Sequence, residues 1–333
     1  MNNANYKKIC SDYLKNLSPR TANVIERRFG LKTGKRETLE AIGQSHGITR
    51  ERVRQIEKEG FNKISPKIKE NKAVFDHFNK TIASFGNIKK EDALLNILGE
   101  NKYQNQVFFL LSNGPGFNRI LETENLHTFW TIDKNSIDSA KKTINSIINR
   151  LKKKKETLSL KELAQETNLN EKVLFSYIET SKQIQKNPEG KYGLRNWLEI
   201  NPKGVKDKAY LVLKKQEKPL HFRDIASSID NLPFPKEKKI HTATVHNELI
   251  KDQRFVLVGR GLYGLREWGF EPGVIKDIIA KLLKESKRPL TKDEIIEKVL
   301  KQRFVKENTI ALNLQNRNYF ARDEKGRYNV KEA

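Results

Sequence analysis

Apolar and polar residues alternate with the period of short helices in the first part of the chain. Between Ser18 and Gly30 the apolar residues recur at near-helical spacing, and they are Ala22, Val24, Ile25 and Phe29. Ser18 suits the N-cap position, and Pro19 suits the first helical position, where its missing N–H costs nothing. The pattern therefore predicts a helix that begins at Pro19 and ends before Gly30, a residue type common at helix ends.

A second pair of helices follows a basic loop. Thr38 can cap a short helix that carries Leu39 and Ile42, and the sequence HGI then makes a tight turn into Thr49. From Thr49 the run TRERVRQIEKEGFNKI places Val53 and Ile56 on one face. Two helices joined by a turn of three to four residues predict a helix-turn-helix, whose second helix can enter a DNA major groove.

The opposite face of that second helix carries groups that can read base edges. Arginine presents a fork to guanine, glutamine can pair with adenine, and glutamate can accept a hydrogen bond from cytosine. The basic loop and the N–H groups at the first helix suit phosphate, which positions a protein without reading sequence. The candidate DNA-binding residues are Arg50, Glu51, Arg52, Arg54, Gln55, Thr38, Lys35 and Arg36. The alternative is an amphipathic helix with an ordinary solvated charged face.

Residues 17–64 resemble region four of the housekeeping bacterial sigma factors, the module that binds the promoter −35 element and the flap of core RNA polymerase. The string TLEAIGQSHGITRERVRQIE matches that family pattern nearly throughout. The resemblance implies that Arg50, Glu51 and Gln55 touch bases. It also implies that Arg54 and Thr38 contribute base or backbone contacts.

The resemblance weakens after Glu57. The family usually continues with an Ala-Lys-Ala-Leu type of sequence, whereas this chain has Lys58, Glu59, Gly60 and Phe61. Gly60 should loosen the helix by about 1 kcal/mol relative to alanine. We therefore expect DNA contacts from the first two turns only. The residues ahead of position 17 are too few for a promoter-melting module, so we expect a protein that acts without one.

The remaining chain contains an internal repeat. A glycine-tipped phrase occurs three times, as GKYGLRNW at 190–197, GLYGLREW at 261–268 and GRYNVKEA at 326–333. Matching openings stand upstream, and they begin at Thr157, Pro219 and Pro289. Each unit predicts three helices and a β-hairpin, which is the order of a winged helix. A degenerate copy spans 88–133, and Gly114–Gly116 is expected to interrupt it where the other copies carry their third helix.

The third unit, about 205–270, resembles the HARE-type helix-turn-helix domain. That domain occurs in the delta subunit of Gram-positive RNA polymerase and in some restriction-related and chromatin proteins. The similarity lies in PLHFRDIASSI and in TATVHNELIKDQRFVLVGRGLYGLREWG. This chain ends in RYNVKEA and not in an acidic tail, so the nucleic-acid displacement assigned to the tail of the delta subunit is not carried over.

These patterns predict a mainly α fold, a helix-turn-helix domain followed by tandem winged-helix repeats of three helices plus a β-wing. The first domain is the sigma region-four-like domain, and the second is helical, with a degenerate winged helix as one interpretation. The third and fifth are winged helices and the fourth is the HARE-type winged helix. The predicted bounds are 1–72, 73–151, 152–200, 201–271 and 272–333.

The wings contain aromatic and basic residues. We interpret the aromatic residues as core, because they sit at matching positions in hydrophobic hairpins; they are Tyr192, Trp197, Tyr263 and Trp268. The basic residues either contact phosphate or form a soluble surface; they are Lys191, Arg195, Arg254, Arg260 and Arg266.

Charge indicates the partner class. The 333 residues contain 65 Lys and Arg against 41 Asp and Glu, for a formal net charge of +24. A polyanion releases condensed counterions when it binds such a protein, so double-stranded DNA is the expected partner, with core RNA polymerase as a second candidate. We find no apolar stretch of membrane-spanning length and no signal peptide, and we expect a cytoplasmic, nucleoid-associated protein.

The sequence offers little for catalysis. The single cysteine, Cys10, excludes an internal disulfide, and the six histidines are scattered without zinc-binding spacing. We therefore expect no metal, no cofactor, no small-molecule substrate, no membrane partner and no enzymatic activity. The predicted function is that of a sigma-factor-like DNA-binding transcription protein. The alternatives are a non-specific nucleoid or architectural protein and a nuclease accessory protein.

Overall fold

The computed structural model describes residues 4–234, 240–286 and 288–331. The chain divides into two compact units, unit 1 at 1–196 and unit 2 at 197–333. The prediction of a mainly α fold is confirmed: helices dominate, and the sheets have two or three short strands. The finer division into five domains stays a prediction.

The first four helices of unit 1 follow the predicted capping signals. They are α1 (Ala4–Leu14), α2 (Pro19–Phe29), α3 (Leu39–His46) and α4 (Arg50–Ile68). The Ser18 hydroxyl accepts from the backbone N–H of Thr21, and Gly30 ends α2 in the left-handed region at φ 61°. Gly47 ends α3 in the same way, again at φ 61°. Glycine adopts this conformation without the steric cost of a Cβ atom, so both turns are tight.

Helices α3 and α4 and the turn between them form the expected helix-turn-helix, with α2 packed across both. The buried residues at the centre of these three helices are Val24, Ile42, Val53 and Ile56. A second, larger core lies on the other side of α2 and α4. It includes Phe29 and Ile64 and continues into α1 and the elements beyond residue 72. Residues on both sides of the predicted boundary at 72/73 thus share one core.

A winged-helix arrangement follows in unit 1. Its elements are α5 (Lys72–Ala83), β1 (Ile88–Lys90), α6 (Glu91–Gly99), α7 (Gln104–Asn113), β2 (Asn118–Ile120) and β3 (Phe129–Thr131). The strands are antiparallel in the order β1-β3-β2. The expectation that Gly114–Gly116 interrupts a third helix is wrong, because α7 is complete before Gly114 and the glycines lead into the wing. We call this arrangement copy one.

Copy two completes the described part of unit 1. It consists of α8 (Asn135–Lys154), α9 (Leu160–Thr167), α10 (Glu171–Thr180), β4 (Ile184–Lys186) and β5 (Tyr192–Leu194). Strands β4 and β5 pair as a hairpin. Leu158 bridges to Tyr192 at the position that β1 occupies in copy one. Copy two therefore repeats the order helix, extended segment, two helices and hairpin.

Unit 2 contains the same order twice. Copy three consists of α11 (Gly204–Gln216), β6 (Leu220–His221), α12 (Phe222–Asp230), α13 (Thr242–Lys251), β7 (Phe255–Gly259) and β8 (Leu262–Leu265). Copy four consists of α14 (Ile275–Ser286), α15 (Lys292–Leu300), α16 (Glu307–Leu314), β9 (Phe320–Arg322) and β10 (Tyr328–Val330). Glu332 and Ala333, the end of the third glycine-tipped phrase, lie outside the described residues.

Candidate nucleic-acid interface

Helix α4 presents one face to the core and the other to solvent. The Thr49 hydroxyl accepts from the backbone N–H of Arg52 at 3.2 Å and so begins the helix. Val53 and Ile56 are buried in the helix-turn-helix core. Five predicted base-reading residues lie on the opposite face and are exposed, and they are Arg50, Glu51, Arg52, Arg54 and Gln55.

Four of these side chains hold one another in place. Arg54 donates from Nε and Nη2 to the two carboxylate oxygens of Glu51 at 2.8 and 2.7 Å. Arg52 donates from Nη1 to Oε1 of Gln55 at 3.0 Å, and the same nitrogen lies 3.7 Å from a carboxylate oxygen of Glu59. Such exposed pairs contribute little stability, so their groups can exchange these partners for base edges or phosphates at small cost.

Charge on this face suits hydrogen bonding to DNA. The hydrogen bonds from Arg54 hold the pKa of Glu51 below its usual value. Glu51 is therefore an ionised acceptor at neutral pH, and an ionised acceptor is what the amino group of cytosine requires. The side chains of Arg54 and Glu51 are 53% and 58% exposed, so a duplex can approach both of them.

The three candidate phosphate contacts occupy the loop before α3. The Thr38 hydroxyl accepts from the backbone N–H of Ala41 at 3.1 Å, so it is engaged as the N-cap of α3. Lys35 is exposed. Arg36 is engaged elsewhere in unit 1: its Nε donates to Oδ1 of Asn105 at 2.8 Å, and its guanidinium carbon lies 3.9 Å from the ring centroid of Phe108. The eight candidates thus divide between one helix face and one loop.

An ion-pair network missed by the sequence analysis fixes the geometry of the helix-turn-helix. Arg27 on α2 donates from Nε and Nη2 to the carboxylate of Glu37 at 2.9 and 2.6 Å, and from Nη1 to the hydroxyl of Ser45 at 2.6 Å. These bonds join α2, the loop and α3. The opposite charges at positions 27 and 37 were visible in the sequence, but the loop fold that brings them together was not.

Asn105 on α7 was also missed. Its side-chain amide donates to the carbonyl oxygens of Gly30 and Gly34 at 3.1 and 2.8 Å, while its oxygen accepts from Arg36. One side chain from copy one therefore holds both ends of the loop that leads into α3. Nothing in the local pattern around Asn105 indicates this role, because its partner Gly34 lies 71 residues earlier in the chain.

The family departures around Gly60 have a packing reason. A Cβ atom at Gly60 would lie 2.6 Å from Cδ1 of Ile25 and 2.8 Å from Cγ2 of Thr21, so only glycine lets α2 cross α4 this closely. The next residue, Phe61, packs against Phe29 with ring centroids 5.6 Å apart. Helix α4 runs through this point to Ile68. The expected loosening is thus compensated by helix–helix contact.

The basic residues of the wings do not behave alike. Arg254 is bound inside unit 2: its Nη2 lies 2.9 Å from a carboxylate oxygen of Asp207 and 2.7 Å from one of Asp252. This pairing raises the pKa of Arg254 and uses the donors that a phosphate would need. The other candidates are exposed, and they are Lys191, Arg195, Arg260 and Arg266. Tyr192 and Tyr263 are buried, as a core interpretation requires.

Two searches of the described residues concern other kinds of site. Within 4–234, 240–286 and 288–331, no group of three His, Cys, Asp or Glu side chains is placed to hold a metal ion. None of the helices in these ranges combines the length and the apolar character needed to cross a membrane.

Comparison with known proteins identifies two segments. Residues 13–65 match the family model for sigma-70, region 4. Residues 204–268 match the HARE-HTH model, a helix-turn-helix domain whose description names ASXL and restriction endonuclease. The chain thus combines a sigma-70 region 4 segment with a HARE-type helix-turn-helix. This is the composition of a sigma-factor-like, DNA-binding transcription protein.

Individual relatives match in the first of these segments. The RNA polymerase principal sigma factor HrdD of Streptomyces coelicolor is 51% identical to this chain over 47 residues, which are 14% of this chain and 14% of the relative. The principal sigma factor HrdD of Streptomyces griseus is 49% identical over 47 residues, with the same two shares. The chain therefore spans 14% of the length of these relatives.

Proposed function

We propose that this chain is a transcription protein that recognises a −35-type promoter element through helix α4. The observation that carries the proposal is the exposed face with Arg50, Glu51, Arg54 and Gln55, on a helix-turn-helix that matches the sigma-70 region 4 model. Arginine, glutamate and glutamine are the side chains that discriminate base pairs in the major groove. The net charge of +24 supplies the salt-dependent attraction to the duplex.

Binding alone suffices for this mechanism. In the free protein Arg54 and Arg52 are satisfied by Glu51 and Gln55, so no group on α4 has to be uncovered before DNA arrives. In the complex the arginines turn to guanine or phosphate, and the released glutamate and glutamine turn to neighbouring bases. The Arg27–Glu37 pair keeps the orientation of α3 and α4 unchanged during the exchange.

Core RNA polymerase is the second proposed partner. The support is the match of residues 13–65 to sigma-70 region 4 and the name of the Streptomyces relatives, RNA polymerase principal sigma factor. Coelution of the chain with purified core polymerase tests this part. It is independent of the DNA proposal, and either interaction can exist without the other.

The decisive experiment uses a duplex selected by the chain from a random-sequence library. Arg50→Ala and Gln55→Ala should each cost about 1–3 kcal/mol on the selected duplex and little on unrelated DNA. Arg322→Ala, in the wing of copy four, removes the same charge and serves as the control. Equal losses on both duplexes would contradict base reading and favour a non-specific architectural protein, which the high positive charge also suits.

A simple assay addresses the nuclease-accessory alternative. Supercoiled plasmid incubated with the chain and Mg²⁺ should stay intact, because the proposed mechanism is binding without turnover. Specific cleavage would overturn the proposal.

A further inference from the structure

Two arginines from distant parts of unit 1 meet at one aromatic ring. Arg36, in the loop before α3, has its guanidinium carbon 3.9 Å from the ring centroid of Phe108. Arg119, at the centre of strand β2, has its guanidinium carbon 5.2 Å from the same centroid. Phe108 lies on α7 and therefore brings the loop of the helix-turn-helix and the wing of copy one together. The sequence analysis had no reason to pair these two residues.

The cluster carries more positive than negative charge. Arg119 donates from Nη2 to Glu91 at 2.6 Å, and Glu91 also accepts from the indole N–H of Trp130 at 2.9 Å. Arg36 is hydrogen-bonded to the neutral amide of Asn105. In the part of the chain that the structure describes, no ion pair within 4.0 Å is formed by Arg36. One carboxylate thus faces two guanidinium groups.

Burial and charge both act on Arg36. Burial lowers its pKa from the usual value, and the neighbouring positive charges of Arg119 and Arg28 act in the same direction. Placing like charges this close costs free energy, and a bound anion would recover it. The guanidinium fork matches two oxygens of a phosphate group, so the chemistry of the expected ligand is that of a phosphate.

The position of the cluster indicates which phosphates. In helix-turn-helix proteins the first helix crosses the DNA backbone while the second lies in the groove. Arg36 stands two residues before Thr38, the N-cap of the first helix α3. Strand β2, which carries Arg119, is an edge strand of its sheet. Helix α7, by contrast, is packed against the helix-turn-helix through buried residues such as Phe109 and cannot enter a groove.

We propose that Arg36 and Arg119 together bind the phosphate backbone of the duplex beside the bases that α4 reads, so that copy one contacts DNA through its wing strand and not through its third helix. This inference rests on the proposed function. An acidic protein segment could satisfy the same charges. The duplex is favoured because Arg36 belongs to the loop that begins the helix-turn-helix.

The test measures how DNA affinity depends on salt. Each phosphate contact contributes about −0.9 to the slope of log K against log salt concentration. With the complete chain and the selected duplex, Arg119→Gln should weaken binding about 3- to 10-fold near 0.1 M salt and make the slope shallower by about one. The matched control is Arg322→Gln, the same change in the wing of copy four, which should leave the slope unchanged.

A second variant keeps the proposal testable if Arg119→Gln does not fold. Glu91→Gln removes the carboxylate that faces Arg119 but keeps an oxygen for Trp130. It should strengthen DNA binding by about 2- to 5-fold, since less negative charge lies next to the phosphate. A folding defect would weaken binding, so the two effects have opposite signs. Unchanged or weaker binding by Glu91→Gln would overturn the proposal.

Three outcomes separate this inference from the proposed function. If Arg50→Ala loses discrimination while folded Arg119→Gln keeps its slope, the wing contact is refuted and base reading stands. If Arg119→Gln changes the slope while Arg50→Ala keeps discrimination, base reading is refuted and the phosphate contact stands. If Arg119→Gln keeps the slope but loses binding to core RNA polymerase, the cluster serves an acidic protein surface, and the duplex assignment is wrong.

Discussion

The third helix of the winged-helix repeat lies in two different environments in the two units. In all four copies a pair of residues four positions apart faces the core of the copy itself; the pairs are Val107/Leu111, Leu174/Ile178, Val245/Leu249 and Ile310/Leu314. The position between them points the other way. In unit 1 it is Phe109 or Ser176, and both are 0% exposed. In unit 2 it is Asn247, which is exposed, or Leu312, which is 65% exposed.

The partners of the third helices explain the difference. In unit 1, α7 is covered by the helix-turn-helix and α10 by strand β1 of copy one. In unit 2 the two copies meet through a wing: the backbone N–H of Phe304 donates to the carbonyl of Val258 on β7 at 2.6 Å. A Cβ at Gly259 would lie 2.7 Å from the carbonyl oxygen of Phe304, so glycine permits this approach. The same repeat thus buries its third helix in one unit and its wing edge in the other.

This comparison teaches that a winged helix in this chain has only one free recognition element. Copies one and two give up the third helix to build a rigid support for the helix-turn-helix. Copies three and four keep the third helix exposed, and copy three gives up the outer edge of its wing. Fold alone therefore does not indicate which surface a copy presents to a partner.

The largest effect that can break this comparison comes from Phe109→Ala. Phe109 packs against Phe29 of the helix-turn-helix with ring centroids 5.2 Å apart. Its removal should cost about 3–5 kcal/mol in unit 1, because a buried aromatic side chain leaves a cavity. Leu312→Ala, at the matching position of copy four, should change the stability of unit 2 by about 0.5 kcal/mol or less. Hydrogen exchange resolved by segment measures both, and similar losses in the two variants would contradict the comparison.

A smaller effect is expected from Ser176→Ala. The hydroxyl of Ser176 donates to the carbonyl oxygen of Ile88 at 2.5 Å, across the contact between α10 and β1. Loss of the donor leaves a buried acceptor without a partner, at a cost of about 1–3 kcal/mol. Asn247→Ala in copy three is the control and should be nearly neutral. Protection of the β1 amides against hydrogen exchange reports the change, and full protection in Ser176→Ala would show that α10 does not hold β1.

The smallest effect compares one capping box in each unit. Ser159 with Glu162 caps α9 in unit 1, and Thr291 with Glu294 caps α15 in unit 2. The backbone N–H of Thr291 and the guanidinium of Arg288 lower the pKa of Glu294 from 4.5 to about 2. A lowered carboxylate pKa stabilises the folded state above about pH 4.5, and this stabilisation is lost as the pH falls towards about 2.

Acid titration followed by hydrogen exchange, corrected for intrinsic rates, checks this expectation. Helix α15 should lose protection between about pH 4.5 and pH 2, since protonation removes the charge that both partners of Glu294 stabilise. Glu294→Gln should remove this pH dependence from α15 and leave that of α9 unchanged. A variant that still shows the full pH dependence in α15 would assign the effect to another carboxylate.

Much of the local structure followed from the sequence. Ser18, Thr38 and the glycines at 30 and 47 mark helix ends because capping and left-handed turns are local interactions between near neighbours. The repeat was detected because its glycine-tipped hairpins recur with the same residues. The exposed face of α4 was predictable, since the spacing of Val53 and Ile56 decides which residues face the core.

The sequence alone determined the helices, their caps, the repeats and the residues available on α4, since each depends on contacts a few residues apart. Only the tertiary structure decided which surfaces the copies bury against one another. It decided that Asn105 holds the loop before α3, that Gly60 admits α2, and that Arg36 and Arg119 meet at Phe108. The physical reason is distance along the chain: these contacts join residues tens of positions apart, and packing complementarity, which no local period encodes, selects them.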